Sequence, residues 1–216
     1  GGTLKYILEN IHVGSDLNHI DPRLPIQYVI RPQSDKHHDY RGYAGRIAGG
    51  VFRKGDKVMV LPSGFVTTLE SIDVHEESLD EAYPPMSVTF RLADDLDISR
   101  GDMIVKENNV PNIGQDIDVM VCWMSDKPMS VRQKFYLRHT TSEVRCMVKE
   151  IKYKVNVNNL ERMDDGDILK MNEIDRVSLR TTKPLFFDSY RKNRQTGSLI
   201  MIDEGTFNTV GVGMIV

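Results

Sequence analysis

The chain lacks the features that define several large classes of protein. No run matches the loop G-x-x-x-x-G-K-[ST], whose glycine-rich backbone cradles nucleotide phosphates. The apolar runs are only a handful of residues long, whereas a membrane-spanning helix needs roughly 20. No secretory signal pattern opens the sequence. These absences predict a soluble, cytoplasmic protein without a membrane partner.

The chain also has few cysteines and a small net charge. The two cysteines, Cys122 and Cys146, lie in alternating apolar segments without a C-x-x-C partner, which favours two reduced, buried thiols over a disulfide or a metal site. The net charge is −3 and the pI about 6.1, so no global field draws the chain to nucleic acid or anionic membranes. A hydrophobic content of 40% is enough for an ordinary globular core.

Turn-forming residues divide the chain into short β-rich segments. Segments spaced about 8–12 residues apart indicate a barrel or a sandwich. The predicted strands are 24–30, 43–48, 57–61, 65–72, 87–92, 103–105, 117–124, 135–139, 142–155, 177–180 and 185–187, followed by a closing hairpin. Turn formers cluster at 108–114 and predict a domain boundary there. We therefore expect an all-β fold of two consecutive barrels, at 23–107 and 108–216, after a leading segment at 1–22.

The two ends of the chain carry distinct patterns. Leu4, Ile7, Leu8 and Ile11 keep the spacing of one helix face, and Thr3 is a suitable N-cap, so a short helix is predicted near residues 3–11. At the other end, 199–216 reads as two apolar strands joined by a polar hairpin, with two glycines, Gly211 and Gly213, on one face. Missing side chains at that face allow close approach of another group.

Several short motifs imitate catalytic or metal sites. The run 35–39 holds two histidines and two aspartates, the side chains that ligate zinc, but neighbours on an extended chain point in opposite directions. A solvated loop tip is the favoured interpretation. The aspartates of 94–97 lack the spacing of a calcium loop and indicate a polar turn. The tetrapeptide 39–42 matches the nucleotide-binding pattern D-x-x-G, and 172–175 is one residue away from N-K-x-D, but neither follows a strand of a phosphate-loop domain. No catalytic residue and no metal ligand is predicted.

A set of longer motifs, in order over nearly the whole chain, resembles the large, GTP-hydrolysing subunit of bacterial sulfate adenylyltransferase. Its barrels are similar to the second and third domains of elongation factor Tu, as is the ending T-V-G-x-G-x-[IV]-V. The motifs are G-T-L at 2–4, L-P-I-Q-Y-V-I-R-P at 24–32, R-G-Y-A-G at 41–45, V-L-P-S-G at 60–64, D-I-S-R-G-D at 97–102, V-C-W-M at 121–124, V-N-N-L at 157–160 and T-G-S-L-I-M-I-D at 196–203.

The resemblance implies a role for this chain. In that family a small subunit joins sulfate to ATP, giving adenosine 5′-phosphosulfate and pyrophosphate, and GTP hydrolysis by the large subunit drives the reaction. Segment 2–9 looks like the helix that ends the family's GTPase domain, so the chain is expected to correspond to the second and third domains. GTP and magnesium would then belong to the GTPase domain, with no cofactor held here, and the chain alone is expected neither to bind nor to hydrolyse GTP. Its implied partners are that domain and the small subunit.

Two segments are candidates for the docking surface. The loop from Arg31 to Gly45 is longer than a hairpin needs, and within it we expect Arg31, Arg41 and Tyr43 to contact a partner. The run 190–194 supplies a second candidate set: Tyr190, Arg191 and Arg194. The alternative is a translation-factor-like module that binds RNA or the ribosome, because arginines alternate with aromatic residues over 28–53. The acidic pI and the family resemblance favour the first interpretation, without a nucleic-acid partner.

Overall fold

The computed structural model describes residues 3–11, 17–32, 40–75, 77–163 and 167–216. Within these ranges the chain forms one short helix and eighteen strands. They are α1 Leu4–Asn10, β1 Arg23–Ile30, β2 Gly42–Arg46, β3 Phe52–Arg53, β4 Lys57–Leu61, β5 Phe65–Val74, β6 Glu77–Leu79, β7 Glu81–Ala82, β8 Ser87–Leu92, β9 Met103–Lys106, β10 Asn112–Trp123, β11 Met129–Ser130, β12 Lys134–His139, β13 Ser142–Val155, β14 Arg162–Met163, β15 Ile168–Leu169, β16 Ile174–Phe187, β17 Ser198–Ile202 and β18 Thr209–Ile215.

The first barrel closes from six antiparallel strands. Their order is β4-β9-β1-β2-β8-β5, and pairing of β5 with β4 completes the ring, while β6 extends the sheet beside β5. Alternation along each strand sends its apolar side chains inward, as Val58 and Val60 show in β4. The rings of Phe52 and Phe90 meet edge to face, with centroids 5.0 Å apart, at the centre of this core.

The second barrel has the same design. Its ring runs β12-β17-β18-β10-β16-β13 and closes between β13 and β12, with β14 beside β13. Trp123 lies in its core, where its ring meets Phe135 edge to face at 5.4 Å and its Nε1 donates to the Lys127 carbonyl at 2.8 Å. The predicted fold class, two consecutive β-barrels with a short helix before them, is confirmed.

The segment at 108–114, predicted as a loop between the domains, is partly strand. Strand β10 begins at Asn112, and Asn112 to Gly114 pair with Phe187 to Leu185. Its turn-forming residues make a turn after β9, where the Asn109 amide donates to the Lys106 carbonyl at 3.0 Å, and the register of β10 shifts after Gly114. Strands of the first barrel end at Lys106 and those of the second begin at Asn112, and the domain limits drawn from the sequence stay a prediction.

The closing hairpin shows what its two glycines do. Both backbones face the core: a Cβ on Gly213 would lie 2.5 Å from Val119 Cγ1, and one on Gly211 would lie 3.0 Å from Trp123 Cε3. The glycines therefore make room for core side chains of β10. Because side chains alternate along a strand, Val212 and Met214 point outward and are about two-fifths exposed.

Helix α1 forms where the spacing predicts it. The Thr3 hydroxyl accepts from the Tyr6 amide at 3.3 Å, which is the bond of an N-cap. All residues of the helix are exposed, and its apolar stripe has no cover among the described residues. No helix in the described ranges is long and apolar enough to cross a membrane.

Candidate interaction site

The arginine cleft opens where β1 ends and β2 begins. It has a volume of about 410 Å³, and it is lined chiefly by charged side chains and tyrosines: Arg31, Tyr40, Arg41, Tyr43, Glu70, Arg91, Asp94 and Asp95. The structure thus brings together the three residues predicted for the first docking surface. Residues 33–39, including the histidine pair at 37–38, lie outside the described residues, so the loop-tip interpretation stays a prediction.

Each arginine of the arginine cleft has an acidic partner. Arg41 pairs with Asp95 and donates to the Leu96 carbonyl at 2.8 Å. Arg31 Nη2 lies 3.8 Å from Asp97 Oδ1, and Arg91 Nη2 lies 3.4 Å from Glu70 Oε2. Such solvent-exposed pairs are worth about 0–1 kcal/mol, so a carboxylate of a partner can replace the internal one at little cost.

Tyr43 does not present its ring at the surface. Its side chain is 1% exposed within the first core, and only its hydroxyl reaches the cleft floor, where it donates to the Leu96 carbonyl at 2.8 Å. Burial raises the pKa of this hydroxyl, which keeps it a neutral donor. Tyr43 therefore forms part of the cleft floor. The side chains that a partner could contact are those of Arg31 and Arg41.

The acidic turn beside the arginine cleft is held by local bonds. Asp94 Oδ2 accepts from the Thr67 hydroxyl at 2.7 Å, and Asp102 Oδ2 accepts from the Ser99 amide at 2.8 Å. Among the described residues no group of three or more histidine, cysteine or acidic side chains is placed to hold a metal. The bonds are those of a polar turn.

Three arginines and three carboxylates are in the described lining of the arginine cleft, so that part of the cleft carries no surplus of positive charge. Nucleic acid binding depends on cations that neutralise phosphates. This balance disfavours the RNA-binding alternative at the surface where the sequence suggested it.

The second predicted set lies on a turn that follows β16. Arg194 lies over the Tyr190 ring, 6.0 Å from its centroid, and the Tyr190 amide donates to the Ile215 carbonyl at 2.8 Å. Arg191 is exposed. The inner side of the same turn contacts the first barrel, because Asn193 Nδ2 donates to the Ala48 carbonyl at 2.9 Å.

The contact between the barrels centres on a buried ion pair between Arg23 and Asp188. We call this pair, together with the neighbouring Thr196 and His139, the barrel lock. Arg23 is fully buried and binds Asp188 with two parallel bonds, Nε to Oδ2 at 2.9 Å and Nη2 to Oδ1 at 3.1 Å. The Thr196 hydroxyl also donates to Asp188, at 2.9 Å. Bidentate arginine–carboxylate pairs fix orientation as well as distance.

An apolar cluster also joins the two barrels. Met103 and Val105 of the first barrel form one buried cluster with Phe186 of the second. A lysine of the turn after β16, Lys192, adds an ion pair to Asp21 at 2.9 Å. Because a buried pair and an apolar cluster both bridge the contact, the barrels are packed as one unit.

Sequence reasoning missed the barrel lock. The available signals were a charged residue, Arg23, opening an apolar strand, and an aspartate, Asp188, directly after the apolar run 185–187. Neither signal identifies its partner, which lies 165 residues away along the chain.

His139 provides a pH test of the barrel lock. Burial lowers the pKa of this imidazole, and the bond to the Thr196 carbonyl and the nearby Asp188 carboxylate offset only part of that effect. The neutral ring donates its Nε2 hydrogen to that carbonyl over 2.7 Å. Since the folded state resists protonation, the unfolded state binds more protons once the pH falls below about 6.5, the ordinary histidine value.

We expect the free energy of unfolding to fall as the pH drops from 7 to 5, and the fall to shrink in His139→Gln. Urea unfolding at both pH values measures this effect. His19→Gln, at an exposed position, is the control and should keep the full dependence. The carboxyl groups whose pKa is lowered, such as Asp118, lose their contribution only at lower pH. Equal pH dependence in both variants would contradict the assignment.

Comparisons with known proteins place this geometry in a family. The domain family described as GTP-eEF1A C-terminal domain-like matches residues 116–216. The protein named sulfate adenylyltransferase subunit 1 from Bacteroides fragilis (strain YCH46) is 46% identical over 216 residues, which are all of this chain and 44% of that protein. The chain belongs to the sulfate adenylyltransferase subunit 1 family.

Another relative has a name that describes a bifunctional enzyme. A protein named bifunctional enzyme CysN/CysC from Mycobacterium tuberculosis (strain CDC 1551 / Oshkosh) is 46% identical over all of this chain, which spans 35% of that protein. The chain therefore spans less than half the length of these relatives of the sulfate adenylyltransferase subunit 1 family.

The fold of the family also matches a solved structure. Sup35 complexed with GDP superimposes with a TM-score of 0.80 over all of this chain and 52% of that chain. At 17% identity this likeness shows the fold alone. The same two-barrel architecture therefore occurs in proteins of very different sequence.

Proposed function

We propose that this chain is the part of a sulfate adenylyltransferase large subunit that transmits the state of a GTP-hydrolysing domain to the small subunit. The small subunit would join sulfate to ATP, giving adenosine 5′-phosphosulfate and pyrophosphate, in the cytoplasm. GTP and magnesium would be bound by the GTPase domain, and the barrels would contribute scaffold and docking surfaces rather than catalytic groups. Family membership supports this proposal.

The observation that carries the proposal is the barrel lock. A body that transmits movement between two partners must not deform between them, and interfaces that switch between discrete packings need rigid elements on each side. Arg23 and Asp188 join the barrels through a buried bidentate pair. The two barrels can then move as one body when either partner changes its position.

The contact residues of the proposal are the solvent-accessible members of the two predicted sets. In the arginine cleft these are Arg31, which is exposed, and Arg41, which is half-buried; on the turn after β16 they are Arg191 and Arg194, which are exposed, and Tyr190, which is half-buried. Arginine and tyrosine are enriched at the centres of protein interfaces, where they combine apolar area with hydrogen bonds.

The test uses the full-length large subunit with its small subunit. Replacing both Arg31 and Arg41 with alanine should lower the GTP-stimulated rate of adenosine 5′-phosphosulfate formation by about tenfold or more, the change produced by losing about 1.4 kcal/mol of docking free energy. The rate without GTP reports the small subunit's own chemistry. It should remain unchanged.

Arg53→Ala is the matched control. Arg53 forms a similarly exposed ion pair with Glu81 at 3.1 Å in the same barrel, away from the arginine cleft. Its loss should leave the GTP-stimulated rate intact. A double variant that folds normally and keeps full coupling would exclude the arginine cleft as the contact.

A further inference from the structure

The outer face of the second barrel carries a patch of apolar side chains. Strand register places Cys122 beside both Val212 and Ile174, Val212 beside Ile200, and Met120 beside Met214. Paired residues share one face of a sheet, and Val212 and Met214 are 40% and 41% exposed. Four adjacent strands, β17, β18, β10 and β16, therefore present one continuous apolar surface outward.

The barrel itself does not require this surface. Barrel strands ordinarily place apolar side chains inward and polar ones outward. The middle of strand β18 departs from this pattern, because Gly211 and Gly213 point inward while Val212 and Met214 point outward; Ile215, near its end, points into the core as expected. The core at these glycines is filled by Trp123, Val119 and Leu199 from other strands. The outward apolar residues thus have no role in the core.

These residues line a shallow apolar groove of about 620 Å³. Tyr190 and Gln195, from the turn after β16, also line it. Arg138 is the one charged side chain in the described lining, and no carboxylate lines it. The apolar groove is continuous with the turn that the sequence marked as a candidate interface.

Arginine side chains border the apolar groove. Arg138 lies in the groove wall. Arg176 in β16 pairs with Met120 in β10, and Arg194 lies over the ring of Tyr190. Arg138 and Arg176 hold local carboxylates, Glu143 at 2.7 Å and Asp118 at 2.8 Å. The Arg138–Glu143 pair is exposed and can exchange partners at low cost, whereas the Arg176–Asp118 pair is half-buried.

We propose that the apolar groove is a docking site for a separate protein subunit whose contact face is an apolar strip flanked by carboxylates. An aliphatic floor suits the desolvated centre of a protein interface, and the arginines suit acidic groups at its rim. A second copy of this chain fits less well, because a two-fold contact would bring an arginine-bordered groove against itself. This inference rests on the proposed function, which identifies the subunit as the small subunit.

The alkylation rate of Cys122 can report whether a partner covers the apolar groove. Its thiol lies in the groove wall, whereas Cys146 is buried in the second core, and burial raises the Cys146 pKa to about 12. Thiolates are the reactive species, so N-ethylmaleimide should modify Cys122 and spare Cys146. The sequence expectation of two buried thiols is therefore wrong for Cys122, because Trp123 and Val121 take the inward positions of β10.

The experiment follows alkylation of Cys122 by peptide mass spectrometry in the full-length large subunit, with and without the small subunit. At a small-subunit concentration 100 times Kd, about 1% of the protein stays free, so the rate should fall about a hundredfold. Val212→Asp should raise Kd about tenfold or more, since it places a carboxylate on the apolar floor. Val66→Asp, at a valine with 41% exposure in the first barrel, is the control.

The outcomes separate the two proposals. Protection of Cys122 together with a weakened Val212→Asp variant and an unchanged Val66→Asp variant supports the inference. If the small subunit binds but neither protects Cys122 nor responds to Val212→Asp, the apolar groove is not its site and the proposed function stands. If it does not bind the wild-type protein, the proposed function fails first.

Two further outcomes identify other occupants and overturn the inference. Slow alkylation of Cys122 in the full-length protein alone, compared with this chain alone, would show that the GTPase domain or its connecting helix covers the apolar groove. Self-association that Val212→Asp abolishes, measured by light scattering, would show a second copy there. Matching urea midpoints for the two aspartate variants establish that both fold.

Discussion

Replacing Asp188 with alanine is expected to lower the free energy of unfolding by about 3–5 kcal/mol. The substitution leaves the fully buried Arg23 guanidinium without the carboxylate that binds it through two hydrogen bonds. Asp21 Oδ1 stays 4.0 Å from Arg23 Nη2, beyond hydrogen-bond distance, so the buried charge loses its hydrogen-bonded carboxylate and keeps only this weaker ion pair. Breaking a buried pair in this way costs more than the bonds alone contribute. Urea unfolding of the isolated chain measures the change.

Two comparisons sharpen the Asp188 experiment. Glu81→Ala breaks the exposed pair with Arg53 and should cost at most about 1 kcal/mol. The double replacement Arg23→Leu with Asp188→Leu removes both charges, and it should be less destabilising than Asp188→Ala because no orphaned charge remains. If Asp188→Ala costs no more than Glu81→Ala, the barrel lock does not hold the barrels together.

Replacing Gly50 with alanine is expected to cost about 2–5 kcal/mol, from two causes. The backbone has φ of 65°, a left-handed conformation that costs an alanine roughly 1–2 kcal/mol. The new Cβ would also overlap backbone atoms of Pro22, which cannot rotate away as a side chain can. Forced displacement of packed atoms adds typically about 1–3 kcal/mol.

Gly64→Ala isolates the conformational part of this cost. Gly64 has φ of 76°, and a Cβ there would meet nothing within 4 Å. It should therefore lose only roughly 1–2 kcal/mol. Pro22 directly precedes Arg23, so Gly50→Ala should also loosen the barrel lock, seen as faster hydrogen exchange at Arg23 and Asp188. Equal losses in the two alanine variants would show that the contact with Pro22 relaxes freely.

The sequence predicted local structure well where a single strand or helix determined it. Strands β4 and β8 agree with the predicted segments residue for residue, since alternating apolar residues bounded by turns define both. It failed where pairing decided the outcome. The predicted segments 177–180 and 185–187 belong to one strand, β16, because partners in β10 and β13 continue along it.

The candidate site was predicted only in part. The sequence located Arg31, Arg41 and Tyr43 in one region, and the structure places them around one cleft. It could not show that the Tyr43 ring is buried, because a tyrosine in a half-apolar strand fits either face until the register is known. Whether these residues contact a partner stays a prediction.

The sequence alone determined the family, the all-β class and the placement of Gly211 and Gly213 on one face of the last strand, since each is a property of order and spacing along the chain. Only the tertiary structure decided that β13 closes a ring with β12, that Arg23 meets Asp188, and that four strands join their apolar residues into one groove. The physical reason is separation: alternation reports which side chains share a face, while the partner of that face depends on packing between distant segments.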